Sequence, residues 1–84
     1  MKYQIIIEKR AEKFIRKQTK DNQIRILTAI YKLPSEGDIK PLEGNADNYR
    51  LRVGTFRIIF TVEPEIVTVR VLDAGNRGQI YNRH

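Results

Sequence analysis

The chain has 84 residues, and 16 lysines and arginines against 10 acidic residues give it a net charge of +6 at pH 7. This length holds one modest core, so a compact single domain over residues 1–84 is expected. The absence of cysteine excludes disulfides and thiolate metal sites and favours a cytoplasmic protein. The N-terminal apolar run is too short for a signal peptide or a membrane span. The positive charge favours nucleic acid or an acidic protein as partner.

The first half of the chain predicts a strand followed by two helices. Residues 3–7 are β-like, and residues 9–18 place apolar side chains at helical spacing. A second helix is predicted from Asp21, as its N-cap, to about Leu33, with Pro34 ending it. Its apolar stripe is predicted to consist of Ile24, Leu27 and Tyr31, widened by Ile26 and Ile30.

The second half predicts strands. Residues 34–48 carry turn formers, and two interpretations stay open: a functional loop, or a connector held to the core by Ile39 and Leu42. Two strands around Gly54 then predict a β-hairpin with a type II′ turn, and residues 66–73 predict an inner strand. The predicted fold class is α+β, in the order β-α-α-β-β-β. It has an antiparallel sheet and a helical hairpin packed on one face.

The predicted hairpin register gathers three arginines on one sheet face. The opposed pairs are Val53 and Phe56, Arg52 and Arg57, Leu51 and Ile58, and Arg50 and Ile59. Arg50, Arg52 and Arg57 then share the face that the helices leave open. Like charges directly across a strand pair are destabilising, so folding alone gives little reason for this arrangement. All six basic residues after residue 41 are arginines, whose planar fork fits phosphate oxygens.

The C-terminal segment adds candidates for the same site. Gly75 and Gly78 bracket Arg77, and Tyr81 follows four residues later. An aromatic side chain near arginines suits base stacking in single-stranded RNA, although Tyr81 could instead fill the sheet edge. The RNA-binding set is predicted to be Lys40, Arg50, Arg52, Tyr81 and Arg83. Two interpretations of His84 stay open: it takes part in proton transfer, or it is simply the end of the chain.

The residue types predict phosphate chemistry without a metal or another cofactor. One histidine, no cysteine and no close carboxylate pair argue against a metal site, and no Gly-rich phosphate loop or Ser-His-Asp set is present. RNA carries its own nucleophile, the 2′-OH, which can attack the adjacent phosphate. Arginines would stabilise the phosphorane but are poor bases. Candidates for proton transfer are Tyr81, His84, Glu43 and Lys40.

These motifs resemble the RelE toxins of the RelE/ParE superfamily. The segments that carry the resemblance are K-P-L-E-G-N, Y-R-L-R-V-G-T-F-R-I-I-F and V-T-V-R-V-L-D-A-G-N-R-G-Q-I-Y. The resemblance implies a RelE-like fold and a toxin that cuts mRNA in the ribosomal A site without metal. By position, it gives catalytic roles to Arg50, Arg52, Arg57, Arg77 and Tyr81. Arg57 would steady the scissile phosphate, and Tyr81 would stack on the substrate base.

The resemblance also implies partners, and it leaves alternatives open. The partners would be a 70S-type ribosome with its mRNA and a cognate antitoxin, which the charge predicts to be acidic with a helical segment. The best-known member has lysines where this chain has Arg50 and Arg52, and another branch has a glutamate at the position of Lys40. The general base therefore stays open. The alternatives are a ParE-like DNA gyrase inhibitor and a catalytically silent RNA- or ribosome-binding module.

Overall fold

The chain forms five β-strands and two α-helices in the part that the computed structural model describes, residues 2–42 and 47–76. The strands are β1 (Gln4–Ile7), β2 (Asp38–Pro41), β3 (Asn48–Val53), β4 (Phe56–Glu63) and β5 (Thr68–Asn76), and the helices are α1 (Lys9–Arg16) and α2 (Lys20–Tyr31). A short 3-10 turn, Pro64–Ile66, separates β4 from β5. Neither helix in these ranges has the length and apolar composition needed to cross a membrane.

The predicted α+β class, with both helices on one sheet face, is confirmed. Ala11 and Ile15 of α1 and Ile26 and Ile30 of α2 pack into one apolar cluster with the sheet. The sheet has the strand order β1-β5-β4-β3-β2. The helices carry the chain from one sheet edge to the other, and β2 to β5 return as a meander. The last strand thus meets the first, and β1 pairs with β5 in parallel, so the sheet is mixed rather than wholly antiparallel.

The described residues contain one strand more than the sequence predicts. Within the segment 34–48, which the sequence leaves as a loop or connector, residues 38–41 form β2 and pair with β3 at the sheet edge. Its four residues include a proline, and Ile39 alone among them packs against the apolar cluster while the other three are exposed. Such a short edge strand has little propensity of its own, and its partner supplies most of its stabilisation. The interpretation of Ile39 as a core anchor is consistent with this packing.

Two details of α2 differ from the prediction. The N-cap is Thr19, whose hydroxyl accepts a hydrogen bond from the Asn22 amide at 3.3 Å, so Asp21 lies inside the first turn. The buried stripe is centred on Ile26 and Ile30, both fully buried, whereas Ile24 and Tyr31 are mostly exposed. Both choices of stripe satisfy helical spacing, and the angle at which α2 lies on the sheet decides between them.

The predicted hairpin is confirmed residue by residue. The register pairs Val53 with Phe56 and Arg52 with Arg57, and the remaining pairs also match the prediction. Gly54 has a φ of +59°, and Thr55 does not have a positive φ. Glycine is the residue that adopts this conformation without strain, and a positive φ at the first turn residue alone is the type II′ pattern.

Candidate phosphate-binding face

The strands β2, β3 and β4 place five charged side chains on the sheet face opposite the helices. This face, called the arginine face below, carries Asp38, Lys40, Arg50, Arg52 and Arg57, with Ile59 beside them. Alternation along the strands explains the grouping, because Ile39, Leu51 and Ile58 point to the helix side. The predicted juxtaposition of Arg50, Arg52 and Arg57 is therefore present. Lys40 lies directly across from Arg50 and is exposed.

Arg57 is the most buried cation on this face. It is 5% exposed, and its Nη1 donates hydrogen bonds of 2.9 Å to the carbonyl oxygens of Gly54 and Phe56. Its Nε is buried and has no hydrogen-bond partner among the described residues, where no carboxylate lies within 4.0 Å of the guanidinium. A buried charge is costly unless it is paired. An anion that reached Arg57 would supply the missing partner.

A β-bulge determines which residue lies beside Arg57 on β5. Ile59 pairs with Asp73 but Phe60 pairs with Val71, so one extra residue of β5 is inserted at this point. Beyond the bulge, Arg57 pairs with Gly75. The residue next to Arg57 on β5 therefore has no side chain. Bulges of this kind are frequent next to functional sites because they reset which side chains meet.

The face is less open than the sequence predicts. Arg57 is buried and Ile59 is fully buried, although both lie on the sheet face opposite the helices. The side chain of Arg50 is 19% exposed and that of Arg52 is 56% exposed. The accessible cations are thus on β3 and on Lys40 of β2. A phosphate would meet them before it reached Arg57.

Asp38 is a carboxylate within this cluster that sequence reasoning did not single out. It lies opposite Arg52 in the register of β2 and β3. Its Oδ1 is 4.0 Å from Nη2 of Arg50, and its Oδ2 is 3.9 Å from Nε of Arg52. These distances are ion-pair contacts, too long for hydrogen bonds. Recognising Asp38 required β2 to be recognised as a strand, since strand pairing brings it to the arginines.

Arg25 is a second residue that sequence reasoning missed. It belongs to α2, yet its Nη2 lies 3.1 Å from the position that a Cβ on Gly54 would occupy. The hairpin turn therefore lies between two arginines. Arg57 donates a hydrogen bond to the Gly54 carbonyl oxygen, and the guanidinium of Arg25 lies beside Gly54 where a Cβ would point. No local signal in the sequence links a helical arginine to a turn 29 positions later, because the packing of α2 alone creates the contact.

Arg70 shows by contrast what a fully paired arginine looks like in this sheet. Its Nε donates a 2.8 Å hydrogen bond to Glu63 Oε1 on the neighbouring strand. That hydrogen bond and the negative charge of Glu63 raise the pKa of Arg70 above its ordinary value. The charge of Arg70 is thus paired with that of Glu63. Among the described residues, by contrast, Arg52 has a long contact of 3.9 Å with Asp38, and Arg57 has no acidic partner within 4.0 Å.

The remaining predicted site residues lie outside the described residues. They are Glu43, Arg77, Tyr81, Arg83 and His84. The described ranges contain no group of three or more acidic or histidine side chains arranged to hold a metal ion.

The fold is similar to that of solved RelE proteins. Archaeal RelE from Pyrococcus horikoshii, in its complex with RelB, is 28% identical, with a TM-score of 0.73 over 94% of this chain and 99% of that chain. The isolated Escherichia coli RelE toxin is 25% identical, with a TM-score of 0.70 over 96% and 93%. RelBE2 of Mycobacterium tuberculosis is 21% identical with a TM-score of 0.78 over 92% and 100%, which shows the shared fold alone. No family model and no curated protein sequence matches the chain.

The fold and the arginine face together define a small α+β protein with a cationic sheet. More particularly, the chain has the fold of RelE toxins over nearly its whole length. The resemblance to RelE-type toxins that the sequence indicates is therefore confirmed.

Proposed function

We propose that this protein is the toxin of a type II toxin–antitoxin system and a metal-independent, ribosome-dependent mRNA endoribonuclease of the cytoplasm. The observation that carries the proposal is Arg57, a buried guanidinium whose Nε has no partner within residues 2–42 and 47–76, beside Arg50 and Arg52 in a RelE-type fold. Three cations converging on one sheet face suit a phosphate whose charge increases during reaction.

The reaction would use the RNA's own nucleophile. The 2′-oxygen attacks the adjacent phosphorus, the O2′–P bond forms, and the P–O5′ bond breaks. The 2′-OH proton goes to a base, and the 5′-oxygen receives a proton as it leaves. In the pentacoordinate transition state, Arg50 and Arg52 would neutralise the non-bridging oxygens, and Arg57 would use its free Nε–H on the same phosphate.

Proton transfer needs a group other than an arginine, since guanidinium stays protonated at every physiological pH. Lys40, exposed and opposite Arg50, is the candidate within the described residues. Tyr81, His84 and Glu43 are the candidates outside them. The roles of Arg77 and Tyr81, in phosphate binding and base stacking, belong to the same proposal, as does RNA binding by Arg83.

The proposed protein partner is an acidic antitoxin with an amphipathic helix. The net charge of +6 supports an acidic partner, and the compared P. horikoshii structure is a RelE–RelB complex. Ile24 and Tyr31 lie two helical turns apart on α2 and are 55% and 62% exposed. The apolar face of the antitoxin helix would cover these two side chains.

Ile24→Ser should therefore weaken rescue of growth by the coexpressed antitoxin, whereas Ile66→Ser, at an equally exposed isoleucine, should not.

The test of cleavage is primer extension on mRNA after pulsed expression in cells. The wild type should produce cuts within translated codons, and Arg52→Ala should lower cleavage by about 100-fold, as expected for one lost charge-stabilising donor. Arg16→Ala is the matched control. Arg16 is also exposed and pairs with Glu12 at 4.0 Å, but it lies on α1, away from the arginine face. The Arg16→Ala variant should cleave mRNA to the same extent as the wild type.

Two results would contradict the proposal. Growth arrest with intact mRNA would point to the ParE-like alternative, for which inhibition of gyrase supercoiling is the direct assay. Ribosome or RNA binding without any cleavage would point to a catalytically silent binding module.

A further inference from the structure

We infer that Asp38 is an internal counter-ion that occupies the phosphate position on the arginine face and that RNA must displace. The inference deepens the proposed function, on which it rests, by identifying a residue that regulates access to that same site. The observation behind it is that a single carboxylate contacts both arginines of β3.

The geometry resembles that of a bound anion. The two oxygens of Asp38 divide between Arg50 and Arg52, at 4.0 Å and 3.9 Å, as two phosphate oxygens would. Arg50 and Arg52 lie on the same side of β3, and Arg57 lies directly across from Arg52. Like charges placed this way repel one another across the strand pair, and the Asp38 carboxylate offsets part of that repulsion. Asp38 therefore lowers the electrostatic cost of the cluster in the free protein.

The same contacts are weak enough to exchange. Both exceed hydrogen-bond length, and the side chains of Asp38 and Arg52 are 50% and 56% exposed. The Asp38–Arg52 pair is half-exposed, and such a pair contributes little to stability, so breaking that contact costs little. The contrast is the 2.8 Å hydrogen bond between Arg70 and Glu63 on the same sheet. That carboxylate holds its arginine firmly, whereas Asp38 holds Arg52 loosely.

The functional consequence is selectivity through competition. A lone phosphate must replace the Asp38 carboxylate and also tolerate its negative charge nearby. Several phosphates and a stacked base, presented together in a fixed pose, can overcome that repulsion. Asp38 thus weakens adventitious RNA binding while leaving productive binding available.

The experiment measures binding of a fluorescein-labelled, 2′-O-methyl oligoribonucleotide, which lacks the nucleophilic hydroxyl and cannot be cut. Asp38→Asn should bind it about fivefold more tightly than the wild type, the factor that one unit-charge contact at 4 Å contributes in water. The difference should shrink at high salt. Glu12→Gln is the matched control, because it removes an exposed carboxylate paired at 4.0 Å with an arginine on α1. Asp38→Glu, which keeps the charge, should bind like the wild type.

Three outcomes would overturn the inference. Equal affinities of Asp38→Asn and Glu12→Gln would mean that only net charge matters. Weaker binding by Asp38→Asn, at an unchanged melting temperature, would mean that Asp38 orients the arginines rather than competing with phosphate. A large loss of melting temperature would make Asp38 a structural residue of β2. If Asp38→Asn binds the RNA more tightly but the wild type cleaves no mRNA in cells, the inference is supported and the proposed function is rejected. If the wild type cleaves mRNA but Asp38→Asn binds no more tightly, the proposed function is supported and the inference is rejected.

Discussion

At Gly54, a single residue must satisfy the backbone and a neighbouring side chain together. Its φ of +59° lies in the left-handed region, and Nη2 of Arg25 is 3.1 Å from where a Cβ would stand. Gly54→Ala should therefore lower the free energy of unfolding by about 1–2 kcal/mol, mainly through backbone strain. Urea unfolding measures this loss. Arg25→Ala in the Gly54→Ala background should restore only a minor part, and full restoration would mean that the contact matters more than φ.

Arg57 and Arg52 differ in what they contribute to folding, although both face the proposed phosphate. Arg57→Ala removes a buried side chain and two hydrogen bonds to the hairpin turn, so it should cost about 1–3 kcal/mol of stability. Arg52→Ala removes one exposed, long ion pair and should change stability by less than about 0.5 kcal/mol. Thermal unfolding of both variants tests the difference. An Arg57→Ala protein as stable as the wild type would assign Arg57 to function alone.

At the scale of the element, α2 shows how one helix can offer two plausible apolar faces. Ile26 and Ile30 are fully buried against the sheet, and Ile24 is 55% exposed. Ile26→Ala should cost about 2–5 kcal/mol because it leaves a cavity, whereas Ile24→Ala should cost about 0.5 kcal/mol. Urea unfolding of the two variants is a matched comparison of the same chemical change. Equal losses would mean that Ile24 is buried like Ile26.

The β2 strand shows why this element could not be predicted locally. Its residues place Asp38 and Lys40 on the arginine face and Ile39 against the core, which is the period-2 pattern of a strand. Four residues that follow a glycine and end in a proline give too short a signal to separate a strand from a loop. The pairing partner on β3 settles the matter, and with it the position of Asp38 beside the arginines.

At the scale of the whole molecule, the charge of +6 is distributed between a lysine-rich helical half and an arginine-bearing sheet. If Arg50, Arg52 and Arg57 contact RNA phosphates, log affinity against log salt concentration should have a slope of about −2, since each phosphate contact on a single strand contributes about −0.7. Arg52→Ala should reduce the magnitude of the slope by about 0.7, and Arg16→Ala should leave it unchanged. Fluorescence anisotropy with the 2′-O-methyl RNA gives these slopes. An equal reduction of the slope in Arg52→Ala and Arg16→Ala would mean that RNA binding depends on the overall positive charge rather than on the arginine face.

The sequence by itself determined the hairpin register, the glycine turn, the inner strand β5 and the gathering of Arg50, Arg52 and Arg57 on one face. These features depend on alternation and turn chemistry, which act between neighbours in the chain. Only the tertiary structure decided the parallel pairing of β1 with β5, the burial of Arg57 and Ile59, and the approach of Arg25 and Asp38 to the site. These depend on which elements pack together and at what angle, and contacts between distant segments leave no periodic trace in a single sequence.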